Sequence, residues 1–206
     1  MKEKVTIEGI FPTPIYISNL HRNYSKKENS FFYKAMEKYF KNEGNITSDE
    51  SYILNKPTLK NIKKILEEHI KIYFEKVYDT KNKIKPYITQ SWLNVTNEKE
   101  YHHVHNHPNA LVSGVLYIKA DEKNDNIKFF KDKKHEVIKL IPKEFNWFNS
   151  ESWVYPVSIG KIIMFPSSTT HTVEIKKGNN TRISLAFNVF VKGNMGDQKS
   201  LMELNI

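Results

Sequence analysis

The stretch Thr181-Arg-Ile-Ser-Leu-Ala-Phe-Asn-Val-Phe-Val191 alternates with a period of two. As a strand, it projects Ile183, Leu185, Phe187, Val189 and Val191 to one face and Arg182, Ser184, Ala186 and Asn188 to the other. The same division recurs upstream. Trp92, Asn94 and Thr96 oppose Leu93 and Val95, while Ser113 and Tyr117 oppose Val112, Leu116 and Ile118. Several strands with one apolar face and one polar face carrying large aromatics predict a sheet packed on helices outside. Its inner face would line a cavity.

Outward from these segments, short β-leaning runs fill the rest of the chain after Lys85. They are Tyr87–Thr96, Leu111–Lys119, Asn126–Phe130, Glu151–Val157, Lys161–Phe165, His171–Ile175 and Thr181–Val191. Turn signals separate them, among them Gly160 and Gly178-Asn-Asn, which reads as a hairpin tip. Before Lys85, two β-leaning pieces between Val5 and Ile17 are broken at Pro12 and Pro14. Ser30–Tyr39 reads as a helix and the polar Lys41–Ser51 segment as a loop. Pro57–Tyr78 is the clearest helix, with Leu59, Ile62, Ile65, Leu66, Ile70, Tyr73, Phe74 and Val77 on one face. The fold class is therefore mainly β, a sandwich or open barrel backed by N-terminal helices. We expect one domain over residues 1–206, with helical support over about 24–80 and a β core over about 86–191.

The 206 residues contain no cysteine, which excludes disulfide scaffolds, thiolate metal sites and thiol nucleophiles. No apolar run reaches the roughly 18 residues of a membrane span. Met1-Lys-Glu-Lys-Val-Thr lacks the apolar stretch of a signal peptide, so the expectation is a soluble chain in the cytoplasm. The net charge of +9 comes mostly from Lys scattered among Asn, Asp and Glu. It reads as a solvated surface, so a nucleic-acid partner is possible but not favoured.

Four of the eight histidines lie in Tyr101-His-His-Val-His-Asn-His-Pro108. On a regular strand His103, His105 and His107 point the same way, and two imidazoles at i and i+2 can grip one metal ion. His103 with His105, and His105 with His107, both have that spacing. His171, after the Phe165-Pro-Ser-Ser-Thr-Thr170 turn, is the candidate third ligand. His21, His69 and His135 read as surface residues. If Gly178 marks a hairpin, Arg182 lies beside the strand that His171 starts, and Ser184 faces the same way. A guanidinium fork and a hydroxyl suit a carboxylate; the other reading of Arg182 is a cross-strand salt bridge. Asn94, also on an inner face, is placed to donate to a second carboxylate.

Together these motifs resemble the 2-oxoglutarate- and Fe(II)-dependent oxygenases. That superfamily is built on a double-stranded β-helix, a jelly roll of cupin-like form. It carries an early His-x-Asp or His-x-Glu, a distal His and an Arg about ten residues later. Arg182-Ile-Ser184 is similar to its Arg-x-Ser signature. More narrowly, the chain resembles a largely uncharacterised group of such oxygenases from bacteria and phages. The motifs that carry this are Phe11–Pro14, Trp92–Asn94, His105–Pro108, Ser113–Tyr117, Phe165–Pro166, His171 and Arg182–Asn188, in that order.

The resemblance implies Fe(II) as cofactor and 2-oxoglutarate as cosubstrate, with dioxygen and an unidentified substrate. It favours His105, His107 and His171 as metal ligands, because Pro108 puts His107 at the turn where the superfamily has its second ligand. It gives Arg182 and Ser184 the far carboxylate of 2-oxoglutarate, with Tyr117 and Asn94 as polar helpers. His107 replaces the acidic ligand, so the full charge of the ion stays in place. Two other readings are a three-histidine, cupin-type dioxygenase without 2-oxoglutarate, and a non-catalytic jelly-roll binding module.

Overall fold

The computed structural model describes residues 5–131 and 140–206. Its helical layer begins where a side chain can close the first turn. Ser25 accepts from the Glu28 backbone N–H, and the Glu28 carboxylate accepts from the Ser25 N–H, forming a capping box. Helix α1 (Lys26–Ala35) therefore starts and ends earlier than the predicted Ser30–Tyr39. A turn of 3-10 helix at Pro57–Leu59 leads into α2 (Lys60–Tyr73), and a π turn over Phe74–Tyr78 ends at Asp79 in the left-handed region. Leu59, Ile62, Leu66, Ile70 and Tyr73 are fully buried along one face. Each such aliphatic side chain contributes about 1.5–3 kcal/mol of burial.

That face lies on a large antiparallel sheet. Its strands are β1 (Tyr16–Asn19), β2 (Tyr39–Asn42), β3 (Asn45–Ser48), β4 (Ile84–Thr96), β6 (Val112–Lys119), β9 (Lys161–Pro166) and β11 (Arg182–Met195). They run in the order β1-β9-β6-β11-β4-β3-β2, and β12 (Leu204–Asn205) pairs with β11. The second sheet holds β5 (His102–His105), β7 (Asn126–Phe130), β8 (Ser152–Pro156) and β10 (His171–Val173), in the order β5-β10-β7-β8. Two facing antiparallel sheets with helices on one outer side make the expected jelly roll.

The alternation in β11 behaves as its sequence predicts. Ile183, Leu185, Phe187, Val189 and Val191 join the core against the helices, with Leu93, Val95, Val112, Leu116 and Ile118 from β4 and β6. A smaller core of Tyr117, Ile127, Phe129, Val157, Ile163 and Phe165 fills the space between the sheets. Gly114 permits the close packing in between, because a Cβ there would stand 2.2 Å from Cζ of Phe187.

Two expectations fail. Lys41–Ser51 is not a plain loop: β2 and β3 form a hairpin that extends the large sheet, turning at Gly44 with φ +85°. The Tyr101 ring packs 2.7 Å from where a Gly44 side chain would begin. Strands β10 and β11 are also not hairpin partners. β10 pairs with β5 and β7 in the small sheet, and β11 with β4 and β6 in the large one. The Gly178 segment crosses between sheets, so His171 and Arg182 approach from opposite walls of one cavity.

Candidate metal centre and cosubstrate cavity

Strand β5 is the edge of the small sheet, and its pairing with β10 is irregular. His171 lies opposite His105, yet Val173 lies opposite His102, so β5 carries one extra residue between them. This bulge breaks the two-residue alternation. It turns His102 into the cavity together with His105, while His103 faces only the neighbouring groove. The expectation that His103, His105 and His107 share one face thus fails at His103. His102 is the inward residue that regular parity missed.

His107 lies beyond the end of β5, held by its N–H donating to the Ser167 carbonyl at 2.9 Å. One ring nitrogen from each of His105, His107 and His171 lies within 4.8 Å of the others. The ring orientations suit ligation. Nδ1 of His105 is 2.8 Å from the His103 carbonyl oxygen, and Nδ1 of His171 is 3.0 Å from that of Thr169. A carbonyl oxygen can only accept, so each Nδ1 carries the proton and each Nε2 keeps its lone pair for an ion. Burial, with the neighbouring imidazoles, pushes His107 down to about 4 and His171 to about 3, and lowers His105 as well. The rings of Phe165 and Phe129 pack 4.7 and 6.1 Å from His171 and supply much of that dry surrounding. Three imidazoles held neutral fit a divalent transition metal.

Arg182, Ser184, Tyr117 and Asn94 line the same cavity. Arg182 is only 4% exposed, and among the described residues it pairs with no carboxylate. Its Nη1 donates to the Asn126 carbonyl at 3.2 Å, its guanidinium carbon stands 5.4 Å from the Tyr117 ring centre, and its Nε has no partner. The Tyr117 hydroxyl is likewise buried without a partner, and burial pushes it up to about 12, so it stays a donor. Thr47 donates to Asn94 Oδ1 at 2.8 Å, which leaves the amide nitrogen as what Asn94 can offer the cavity. A buried cation with its Nε unused and a buried hydroxyl without an acceptor, both among the described residues, fit an incoming carboxylate. Among the described residues, the salt-bridge reading of Arg182 finds no partner.

The buried Lys176 is committed elsewhere. Lys176 forms a buried ion pair with Asp125 at 3.0 Å, and Asn180 donates to the other Asp125 oxygen at 2.8 Å. That network pins the crossing that delivers Arg182. Among the large aromatics, Trp92 lines both the cavity and the groove, with its ring 5.9 Å from His107. Trp147, Phe148 and Trp153 line neither. His69 is half-buried and shares a 2.7 Å hydrogen bond with the Tyr16 hydroxyl, and His135 lies outside the described residues.

A family model described as "Putative 2OG-Fe(II) oxygenase" matches residues 90–188, the segment that holds every cavity residue named above. No curated protein matches the chain. Solved structures share the fold at low identity. One is an oxidoreductase of the 2OG-Fe(II) oxygenase family from Burkholderia pseudomallei, 13% identical, covering 85% of this chain and 83% of that one, with a TM-score of 0.55. HygX from Streptomyces hygroscopicus, solved with nickel, 2-oxoglutarate and hygromycin B, is 9% identical over 86% and 82%, at 0.59. The viral collagen prolyl hydroxylase of Paramecium Bursaria Chlorella virus-1, a 2-oxoglutarate complex, is 11% identical over 85% and 94%, at 0.54. With the family model spanning the histidine run, the distal histidine and the Arg-x-Ser strand, the chain is similar to the 2-oxoglutarate- and Fe(II)-dependent oxygenases in both sequence motifs and fold.

Proposed function

We propose that His105, His107 and His171 hold the Fe(II) of this oxygenase, and that Arg182 and Ser184 anchor the far carboxylate of 2-oxoglutarate. The observation that carries this is the meeting, in one cavity, of three neutral imidazoles with a buried arginine that has no anionic partner among the described residues. When bound, the iron and cosubstrate supply oxygen activation, coupling decarboxylation of 2-oxoglutarate to succinate with oxidation of a substrate C–H bond. The chain's own residues bind, orient and exclude water. Arg182 gives a carboxylate two parallel donors, Tyr117 adds a hydroxyl, and Asn94 offers its amide nitrogen. Phe129, Phe165 and Ile127 keep the closed end dry, which strengthens each polar contact made there.

The substrate's place is the groove of about 300 Å³ that shares Trp92, His102, His105 and His107 with the cavity. Phe40, Asn42 and Thr47 of the β2–β3 hairpin, Ser51, Gln90 of β4 and His103 line the rest of it. None of these lining residues is acidic, Lys or Arg, so the net charge of +9 is not focused here. That favours an uncharged substrate over nucleic acid. Arg182 likewise favours a 2-oxoglutarate enzyme over a three-histidine dioxygenase that lacks the cosubstrate.

Turnover tests the assignment. With Fe(II), ascorbate and oxygen, slow uncoupled conversion of 2-oxoglutarate to succinate is expected from wild type and not from His171→Ala. Equal succinate from both proteins would refute the ligand set.

A further inference from the structure

We propose that His102, His103 and His105 form a second metal site, for a zinc-type divalent ion, which competes with the proposed iron centre for His105. The inference rests on the reading of His105 as an iron ligand. One ring nitrogen from each of these three residues lies within 4.8 Å of the others, the same convergence as in the inner triad. The bulge in β5 creates it. With regular alternation His102 would point away from His105, but here the two rings stack at 4.4 Å. The His103 ring stands 5.1 and 4.9 Å from those of His102 and His105.

Two details favour an ion there over a mere crowd of rings. Nδ1 of His103 is buried and has no hydrogen-bond partner among the described residues, so a lone pair or proton goes unused. Among the described residues, the hydrogen bond to the His102 ring is a 3.3 Å contact between its Nε2 and the Asn42 side-chain nitrogen, long enough to be given up readily. All three rings line the groove, so an ion reaches them from solvent without entering the cavity. Three imidazoles and no carboxylate suit zinc or copper, which bind nitrogen sites more tightly than Fe(II) does.

The sharing of His105 makes the two sites exclusive. Its Nδ1 is tied to the His103 carbonyl, so Nε2 is the one nitrogen it can offer, and Nε2 ligates one ion at a time. An ion in the outer triad leaves the inner one with two ligands, His107 and His171. The outer site would thus turn the groove into a zinc-sensitive off state.

The test uses Zn(II), titrated against a chromophoric chelator. His107→Ala with His171→Ala reduces the inner triad to the shared His105 and leaves the outer triad whole. This double variant is expected to bind about one zinc per chain, and adding His103→Ala to lower the affinity by roughly tenfold or more. If the double variant fails a circular-dichroism check of folding, His171→Ala with and without His103→Ala makes the same comparison. No zinc on the variants that keep the outer triad, or unchanged affinity without His103, overturns the second site. The iron and 2-oxoglutarate reading is tested on wild type without zinc, so either can fail alone.

Discussion

Replacing Arg182 with alanine separates a ligand anchor from a structural residue, because the two roles predict opposite effects on the protein without ligand. In the structure the guanidinium is buried, pairs with no carboxylate among the described residues, and spends one nitrogen on the Asn126 carbonyl at 3.2 Å. A buried cation without a counter-charge is a burden on the fold. Truncating it should therefore leave the melting temperature of the apoprotein unchanged or raise it. The metal centre is not touched, so metal content should hold at the wild-type level. What falls is affinity for 2-oxoglutarate. Loss of a charge-assisted contact costs on the order of 1.5–3 kcal/mol, or roughly ten- to a hundred-fold in the dissociation constant. Tyr117 and Ser184 remain to hold the carboxylate, which keeps the loss from being total. Calorimetric titration of 2-oxoglutarate into Mn(II)-loaded wild type and Arg182→Ala reads this directly. Unchanged affinity combined with a lower melting temperature would refute the reasoning and make Arg182 a structural residue.

The choice among the histidines predicts that His105→Ala loses most bound iron by elemental analysis, while His103→Ala retains it. His107→Asp, which restores a carboxylate at the second ligand position, should also retain it. Loss of iron in His103→Ala with retention in His107→Ala would move the ligand set by two residues. Gly114→Ala forces a methyl group into the Phe187 ring and should cost about 1–3 kcal/mol of stability, read from urea unfolding. Acid should weaken the join between α1 and its preceding turn. Two hydrogen bonds from Arg22, at 2.7 and 2.8 Å, hold the Glu28 carboxyl below the usual carboxylate range. A depressed carboxyl stabilises the fold above its unfolded value of about 4.3, and that contribution disappears as pH falls through the folded value. Glu28→Gln should therefore lower the urea midpoint at pH 7 and narrow the gap to wild type at acid pH.

The faces of β4, β6 and β11 were readable because their central residues divide into two sides, as Leu93 and Val95 do against Asn94 and Thr96 and as Ile183 and Leu185 do against Arg182 and Ser184. That periodicity also placed Arg182, Ser184, Asn94 and Tyr117 in the cavity. What local sequence did not reveal was partnership between strands. Gly178-Asn-Asn looks like a hairpin tip, but turn residues say only that the chain bends, not which sheet it enters next. The bulge in β5 was equally hidden, since Tyr101–His107 reads as a plain alternation of histidines. Only the pairing with β10 shows that His102 and not His103 faces inward. The β2–β3 hairpin left one usable signal, Gly44 between Asn42-Glu and Asn45, obscured by the polarity of the segment around it.

The most direct measurement of the central claim is the visible absorption of the protein reconstituted anaerobically with Fe(II) and then titrated with 2-oxoglutarate. The account predicts a weak charge-transfer band that saturates with 2-oxoglutarate in wild type. It predicts that the band is absent in His171→Ala and needs more 2-oxoglutarate to develop in Arg182→Ala. Stoichiometric iron in wild type with no band at any 2-oxoglutarate concentration would contradict it.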